Sequence, residues 1–236
     1  MGRTLTAADF ADADLTDLTL IDCTLSDANL KDAALQGARF ERCRFIRCRF
    51  GHADLREAVF NDCQFSEPGE RAGVVFAFAR LEESRFNRCN LVHAKFEGCE
   101  LYAARLDDCN LLGATFDRTS FGRAFSPKVV KIAIALVGCN LELADLARAR
   151  LAGSDLSRSR FREADLSGAD LEGANLTGAD LFQAIVDETR LAGADLRGAE
   201  VSGLDLRRLA SYRDLKINPD QQYRLLDAMG VDVQPE

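Results

Sequence analysis

A large apolar residue, Leu or Phe, returns at every fifth position over most of this 236-residue chain. The first run begins at Leu5 and Phe10 and continues to residue 65, a second covers residues 81–121, and a third covers 136–206. Neither the helical period of 3.6 nor the strand period of 2 keeps one face apolar through so many five-residue steps. The backbone must therefore turn a corner at each unit and direct these central side chains into one shared interior.

Each unit also carries a small residue two positions before its centre, as in Ala28-Asn29-Leu30 and Ala53-Asp54-Leu55. If four units make one coil, residues twenty apart stack in adjacent coils at the strand spacing of ~4.8 Å. Such a rod has only nearest-neighbour contacts and needs capped ends. We therefore predict a repeat domain over residues 1–210 and a capping helix with a tail over 211–236.

The eight cysteines all occupy the small-residue slot. They are Cys23, Cys43, Cys48, Cys63, Cys89, Cys99, Cys109 and Cys139. A reduced Cys behaves as a small buried hydrophobe, so we predict a packing role, with Cys23, Cys43 and Cys63 in one stack and Cys89 with Cys109 in another. Because there is no closely spaced Cys pair and there are only two histidines, we predict no metal site and no cofactor.

Histidine and aspartate, two residue types common in catalytic sites, are present, but they do not occur in any recognisable catalytic motif. His52 and His93 lie two positions after a centre, where side chains point outward. The aspartates before the centres are predicted to bond to the local backbone, as Asx residues do in turns. These are Asp145, Asp155, Asp165, Asp170 and Asp180. No phosphate-binding loop or nucleophile elbow occurs, so we predict a protein that is not an enzyme and has no catalytic residues.

The repeat fails first at residues 66–73, where a Pro-Gly pair and several charges indicate an exposed loop. Phe78 follows the restart and lies two positions after a centre, which points its ring outward. The sequence leaves open whether this ring contacts a partner or packs on the base of the loop. Candidate partner contacts here are Glu67, Pro68, Glu70, Arg71 and Phe78.

The second interruption covers residues 122–135 and keeps the five-residue register. A continuing coil would place Ser126 and Lys131 at inward positions, and an unpaired ammonium in an apolar core is very costly. We therefore predict that the segment projects from the rod, where recognition usually resides. Its candidate partner contacts are Arg123, Phe125, Ser126, Pro127, Lys128, Val129 and Lys131.

A helix is predicted after the repeats, with Asn218 as N-cap, Pro219 at the first position, Gln221 as capping-box partner and Gly230 as the stop. Its apolar residues either cover the last coil as a lid or also pair with a second copy. The candidate dimerisation residues are Tyr223, Leu225, Leu226, Met229 and Val231.

The formal net charge of −8 and the pI near 5.0 disfavour a protein that binds nucleic acid by neutralising phosphates. An acidic surface instead favours basic partners. The chain opens without a signal-peptide pattern, and no apolar run approaches the length of a membrane span, so we expect a soluble cytosolic protein without membrane contact.

The unit in Ala164-Asp165-Leu166-Ser167-Gly168 resembles the A(D/N)LXX consensus of the pentapeptide-repeat family, and the resemblance extends over residues 5–206. It implies an all-β fold, a right-handed quadrilateral β-helix, here with two projecting loops and a short C-terminal α-helix. The two interruptions and the ending Gln221-Gln222-Tyr223-Arg224-Leu225 further resemble the Qnr branch, the quinolone-resistance proteins.

That second resemblance implies a homodimer, joined through the C-terminal helix, whose acidic surface imitates DNA. It implies binding to the type II topoisomerases DNA gyrase and topoisomerase IV, protection of them from fluoroquinolones, and no direct contact with nucleic acid. The charge is not uniform, since arginines cluster at residues 39–49 and 148–162. The alternative is a pentapeptide-repeat scaffold with another partner.

Overall fold

A computed structural model describes residues 4–5, 14–67, 69, 72–126 and 129–234. Each five-residue unit is extended around its centre and then turns. The residue two positions after the centre takes a left-handed conformation at most corners, for example Asp62 at φ 53° and Arg88 at φ 50°. Of the first repeat centres, Phe10 and the side chain of Leu5 lie outside this description.

The coil has four sides, and each side is a parallel stack of units from successive coils. Side 1 is a six-stranded sheet in the order β2-β4-β6-β8-β10-β13, and side 2 begins as the sheet β1-β3-β5. Side 3 contains β7 and β9, and side 4 is held by single bridges such as Asp54 with Arg80. The coil strands are β1 (Thr4–Leu5), β2 (Thr19–Ile21), β3 (Thr24–Ser26), β4 (Arg39–Glu41), β5 (Arg44–Ile46), β6 (Val59–Asn61), β7 (Val75–Ala77), β8 (Arg85–Asn87), β9 (Lys95–Glu97), β10 (Ala104–Asp107) and β13 (Ile134–Val137).

The repeat centres fill the interior, as predicted. Phe60 is fully buried and stacks between Phe40 and Phe86, with ring centroids 4.8 and 4.6 Å apart and nearly parallel planes. Because identical positions lie one above another at strand spacing, each aromatic centre finds the face of the next one. The predicted fold class, a right-handed quadrilateral β-helix with a short C-terminal helix, is confirmed.

All eight cysteines are buried in the small-residue slot, as predicted. Six of them form one continuous column on side 2: Cys23, Cys43, Cys63, Cys89, Cys109 and Cys139. From Cys43 on, their thiols donate to the carbonyl oxygen of a residue in the preceding coil, as Cys109 Sγ does to Phe86 O at 3.3 Å. Cys48 and Cys99 lie on other sides, and burial raises their thiol pKa values to about 11 and about 12.

The coils on either side of each insertion still stack on one another. The two cysteine stacks that the sequence predicted separately therefore form one column. Gln64 pairs with Asn90 across the first, and Asn110 pairs with Asn140 across the second. The second insertion is a β-hairpin of β11 (Gly122–Ser126) and β12 (Val129–Ile132), so the predicted projection is confirmed. Strand β13 resumes the coil at Ile134, one residue before the predicted end of the loop at residue 135.

The coil continues past the predicted boundary at residue 210, because Ser211 pairs with Arg190 and Lys216 pairs with Asp195. Its end is closed by the predicted helix. Two 3₁₀ turns, Leu206–Arg208 and Pro219–Gln221, precede α1 (Gln222–Ala228). Asn218 is the N-cap, and its N–H donates to Gln221 Oε1 at 2.6 Å.

Within the described residues, no helix is long and apolar enough to cross a membrane. That part of the chain also holds no cluster of three or more His, Cys, Asp or Glu side chains with the geometry of a metal site.

Candidate protein-interaction surface

The first loop leaves the rod at the corner between sides 2 and 3. Glu67, its first charged residue, lies 3.4 Å from Arg44 and 4.0 Å from Arg47 of the preceding coil. At the other end, a Cβ on Gly73 would lie 2.4 Å from the Val92 carbonyl oxygen, so only glycine fits where the loop returns. The predicted contact residues Pro68, Glu70 and Arg71 lie outside the described residues.

Phe78 lies at the corner between sides 3 and 4 and is 45% exposed. Its ring stacks on His52 of the preceding coil, with centroids 5.3 Å apart and planes 12° apart. The ring also covers Gly98 in the next coil, where a Cβ would approach it to 2.7 Å, and the Arg118 guanidinium lies 5.9 Å from its centroid. The aromatic pair of His52 and Phe78 thus presents one exposed edge along the corner.

The hairpin leaves at the corner between sides 4 and 1. Its aromatic residue, Phe125, is 55% exposed. This ring meets Tyr102 of side 4 edge to face at 5.8 Å. Two cations flank it, the Arg123 guanidinium at 5.8 Å and the Lys131 ammonium at 5.4 Å. The hairpin therefore presents a basic and aromatic surface.

The structure describes two of the four other predicted hairpin contacts. Ser126 and Val129 are exposed in β11 and β12, and Val130 is exposed beside them at 53% although the sequence did not single it out. The predicted contacts Pro127 and Lys128 lie outside the described residues.

A cavity of about 220 Å³ lies between the base of the hairpin and side 4. Glu82 and Glu100 line it, and Arg80 lies 3.8 Å from each carboxylate. Burial, with a contribution from Glu100, raises the pKa of Glu82. Its Oε2 atom is buried and has no hydrogen-bond partner in the part of the chain that the structure describes. No sequence pattern indicated this site, because the direction in which the hairpin folds is not encoded in the repeat.

The structure brings the predicted contact elements to two adjacent sides. The first loop borders side 3, the hairpin borders side 4, and Phe78 lies at the corner that these sides share. The tertiary arrangement therefore makes one broad surface out of segments that are 50 residues apart in the sequence.

The aspartates before the centres bond to the backbone two residues on, as predicted. Asp165 Oδ1 accepts the Ser167 N–H at 2.8 Å, and Asp180 Oδ1 accepts that of Phe182 at 3.0 Å. The same bond is made by Asp145, Asp155 and Asp170. These carboxylates line the outside of the last coils, where residues 140–206 hold 13 Asp and Glu against 7 Arg and no Lys.

The terminal helix buries one of its apolar residues and exposes others. Leu225 is buried against the last coil, whereas Tyr223, Leu226 and Val231 are 56%, 37% and 45% exposed and Met229 is half-buried. The buried amide of Gln221 donates to the carbonyl oxygens of Leu196 and Ala199 at 2.8 and 2.7 Å. Gln221 and Leu225 are one helical turn apart and fix the helix on the coil, so a distinct apolar patch remains outside.

Comparison with known proteins gives family and fold. A family model described as pentapeptide repeats matches residues 72–108, 139–178 and 174–208, and one described as a pentapeptide repeat region matches residues 4–68. A comparison with curated protein sequences returned no match.

Among solved structures, full-length QnrB1, a plasmid-mediated fluoroquinolone resistance protein, is similar with a TM-score of 0.84 and 24% identity over 90% of this chain and 100% of that one. A trypsin-treated variant of QnrB1 gives a TM-score of 0.81 and 24% identity over 92% and 100%.

Proposed function

This chain belongs to the pentapeptide-repeat family, and from that premise we propose that it is a non-enzymatic binding protein for a type II topoisomerase. It docks on DNA gyrase or topoisomerase IV in the cytoplasm and protects the enzyme from fluoroquinolones. The fold shared with QnrB1 along the whole length of that protein supports this proposal. A sequence identity of 24% supports a shared fold, and the shared activity is what the experiment below tests.

The observation that carries the proposal is the hairpin, a projecting basic and aromatic element on a rod whose last coils are acidic. Phe125 is exposed between Arg123 and Lys131, and a central aromatic residue flanked by charges is typical of binding hot spots. The acidic outer positions of residues 140–206 favour encounter with a basic DNA-binding surface.

We propose further that the active form is a homodimer joined through the C-terminal helix. Tyr223 and Leu226 are exposed on a helix that Leu225 and Gln221 hold in place, and Val231 is exposed just after it. A rigid apolar patch at the end of a rod suits a two-fold contact between identical surfaces.

A supercoiling assay with purified gyrase or topoisomerase IV and a fluoroquinolone, titrated with this protein, tests the proposal. We expect protection by the wild type and a roughly tenfold higher concentration for half-protection by Phe125→Ala, since hot-spot residues contribute most of the binding energy. Ile21→Ala is the matched control, because Ile21 is 49% exposed but lies on side 1 in the first described coils, outside residues 140–206.

Retained melting temperature and circular dichroism must show that both variants fold. Protection that is absent in the wild type, or equally weakened by both variants, would contradict the proposal. An absence of protection by the wild type would favour a scaffold for another partner. The near balance of charge in the first coils agrees with that alternative, since residues 14–139 hold 18 Asp and Glu and 17 Lys and Arg.

A further inference from the structure

Side 3 changes the sign of its charge along the rod. Among the outward positions on either side of the repeat centres from Asn29 to Asp187, the charged residues up to Lys95 are cations and those from Glu97 on are carboxylates. The cations are Lys31, Arg49 and Lys95, and the carboxylates beyond them are Glu97, Asp117, Asp145, Asp165 and Asp187. A surface that only imitates DNA would be acidic throughout, so the first coils of this side serve a different contact.

Arg49 and Lys95 are exposed and aligned. Arg49 pairs with Val75, and Val75 pairs with Lys95, so the two cations stand two coils apart, roughly 10 Å along the axis. Neither the guanidinium nor the ammonium has an ion pair or hydrogen bond to any described residue. Most other arginines of the first coils do, as Arg88 does with Asp62 at 2.7 Å.

The acidic residues near these cations are occupied elsewhere. Asp117 lies 3.0 Å from Arg118, and Glu97 also contacts Arg118. At the other end, Lys31 lies 3.8 Å from Asp32, and both side chains are more than half exposed. The positive charge of Arg49 and Lys95 is therefore not neutralised by a close neighbour among the described residues.

The surface between the two cations is flat. Its outward residues are Gly51, Val75 and Ala77, whose small side chains leave the sheet face accessible, and we call the surface of these three residues with Arg49 and Lys95 the side-3 strip. The stacked rings of His52 and Phe78 form one edge of the strip. The first loop leaves and returns at the other edge.

We propose that the side-3 strip binds an acidic segment of a protein partner, whose carboxylates pair with Arg49 and Lys95 and whose apolar side chain packs on Phe78. Two exposed cations beside one aromatic edge suit a short segment that mixes carboxylates with an apolar residue. A nucleic-acid strand is disfavoured, because a longer polyanion following side 3 meets Asp145 and Asp165 in the next coils.

This inference goes beyond the proposed function, since it names the chemistry of a second contact and assigns a direction to the rod. A partner that is acidic opposite the first coils and basic opposite the last accepts the rod in one orientation only.

Fluorescence anisotropy with the full chain tests the strip. The probe is a labelled twelve-residue peptide of alternating Asp and Phe, and a peptide of alternating Lys and Phe and a twelve-residue oligothymidine serve as comparisons. We expect salt-sensitive binding of the acidic peptide only, weakened roughly tenfold by the double variant Arg49→Gln/Lys95→Gln, because charge-assisted contacts are the strong ones.

The matched control is Arg39→Gln/Arg85→Gln on side 1, where two arginines that pair with no acid in the described part of the chain likewise flank a valine, Val59. Equal weakening by this control, no saturable binding of the acidic peptide at millimolar concentration, or tighter binding of oligothymidine would each overturn the inference.

The same variants in the topoisomerase assay separate the two proposals. If the peptide binds at the strip while the wild type protects neither topoisomerase, the strip stands and the proposed function fails. If protection occurs and the peptide fails to bind, the proposed function stands without the strip.

Discussion

Ser159 occupies the slot directly after Cys139 in the column of small residues on side 2. Its hydroxyl donates to the Leu136 carbonyl oxygen at 2.7 Å and accepts the Cys139 N–H at 2.9 Å. Cys139 makes the same donation to Leu106 O at 3.3 Å. From Cys43 to Ser159 the column therefore holds small side chains whose γ atom donates to a carbonyl oxygen of the preceding coil, and thiol and hydroxyl both serve as that donor.

We predict that Cys109→Ser changes the free energy of unfolding by less than about 1 kcal/mol, because the hydroxyl replaces the thiol donor to Phe86 O. Cys109→Leu adds volume to a close-packed slot and is expected to cost about 1–3 kcal/mol. Urea denaturation of both variants provides the comparison. Equal damage by Ser and Leu would show that the sulphur itself is required.

The aromatic stack in the core is expected to dominate stability. Phe60→Ala removes a fully buried ring between Phe40 and Phe86 and should lower the free energy of unfolding by about 3–5 kcal/mol. Phe78→Ala, at a ring that is 45% exposed, should cost less than about 1 kcal/mol. Thermal melting of the pair tests this, and a larger loss for Phe78 would contradict the inward direction of the repeat centres.

Glu82 beneath the hairpin should make stability depend on pH. Burial raises its pKa above the unfolded value of about 4.3, so proton binding favours the folded state. Its contribution is fully present below about pH 4 and is lost as the pH rises through the folded pKa. Glu82→Gln, which stays neutral, should therefore melt at a higher temperature than the wild type at pH 7, with the difference shrinking towards pH 4.

The neighbouring exposed Glu83 supplies the control, since Glu83→Gln removes the same charge outside the cavity. A lower melting temperature for Glu82→Gln at pH 7 would mean that attraction to Arg80 outweighs burial.

Two substitutions in the terminal helix should distinguish its role as a cap of the coil from its proposed role in dimerisation. Leu225→Ala is expected to lower the free energy of unfolding by about 2–5 kcal/mol, since Leu225 is buried against the last coil. Leu226→Glu is expected to leave the fold intact and convert the dimer to a monomer, because it places a charge in the exposed apolar patch. Urea denaturation measures the effect of Leu225→Ala, and light scattering after size exclusion measures that of Leu226→Glu, with Tyr212→Glu, exposed at 49% off the helix, as the control for dimerisation. A wild-type monomer at micromolar concentration would remove the proposed dimer.

Much of the fold followed from local pattern. Five-residue spacing predicted the inward centres, the cysteine slot and the Asx bonds, because each depends on the position of a residue within its own unit. The helix start at Asn218 was equally readable, since capping involves neighbours three residues apart. The candidate surface was only partly predictable: Phe125 was found, whereas Tyr102 and Glu82 beneath it were missed.

The sequence by itself determined a coil with a Leu and Phe interior, two interruptions and a terminal helix, because a regular period forces one direction on every central side chain. The tertiary structure decided that six cysteines form one column, that Phe125 packs on Tyr102, and that Arg49 and Lys95 stand on one strip without an ion pair to any described residue. These relationships join residues twenty or more apart, and they depend on how coils stack across an insertion and on where the hairpin lies, which no local pattern specifies.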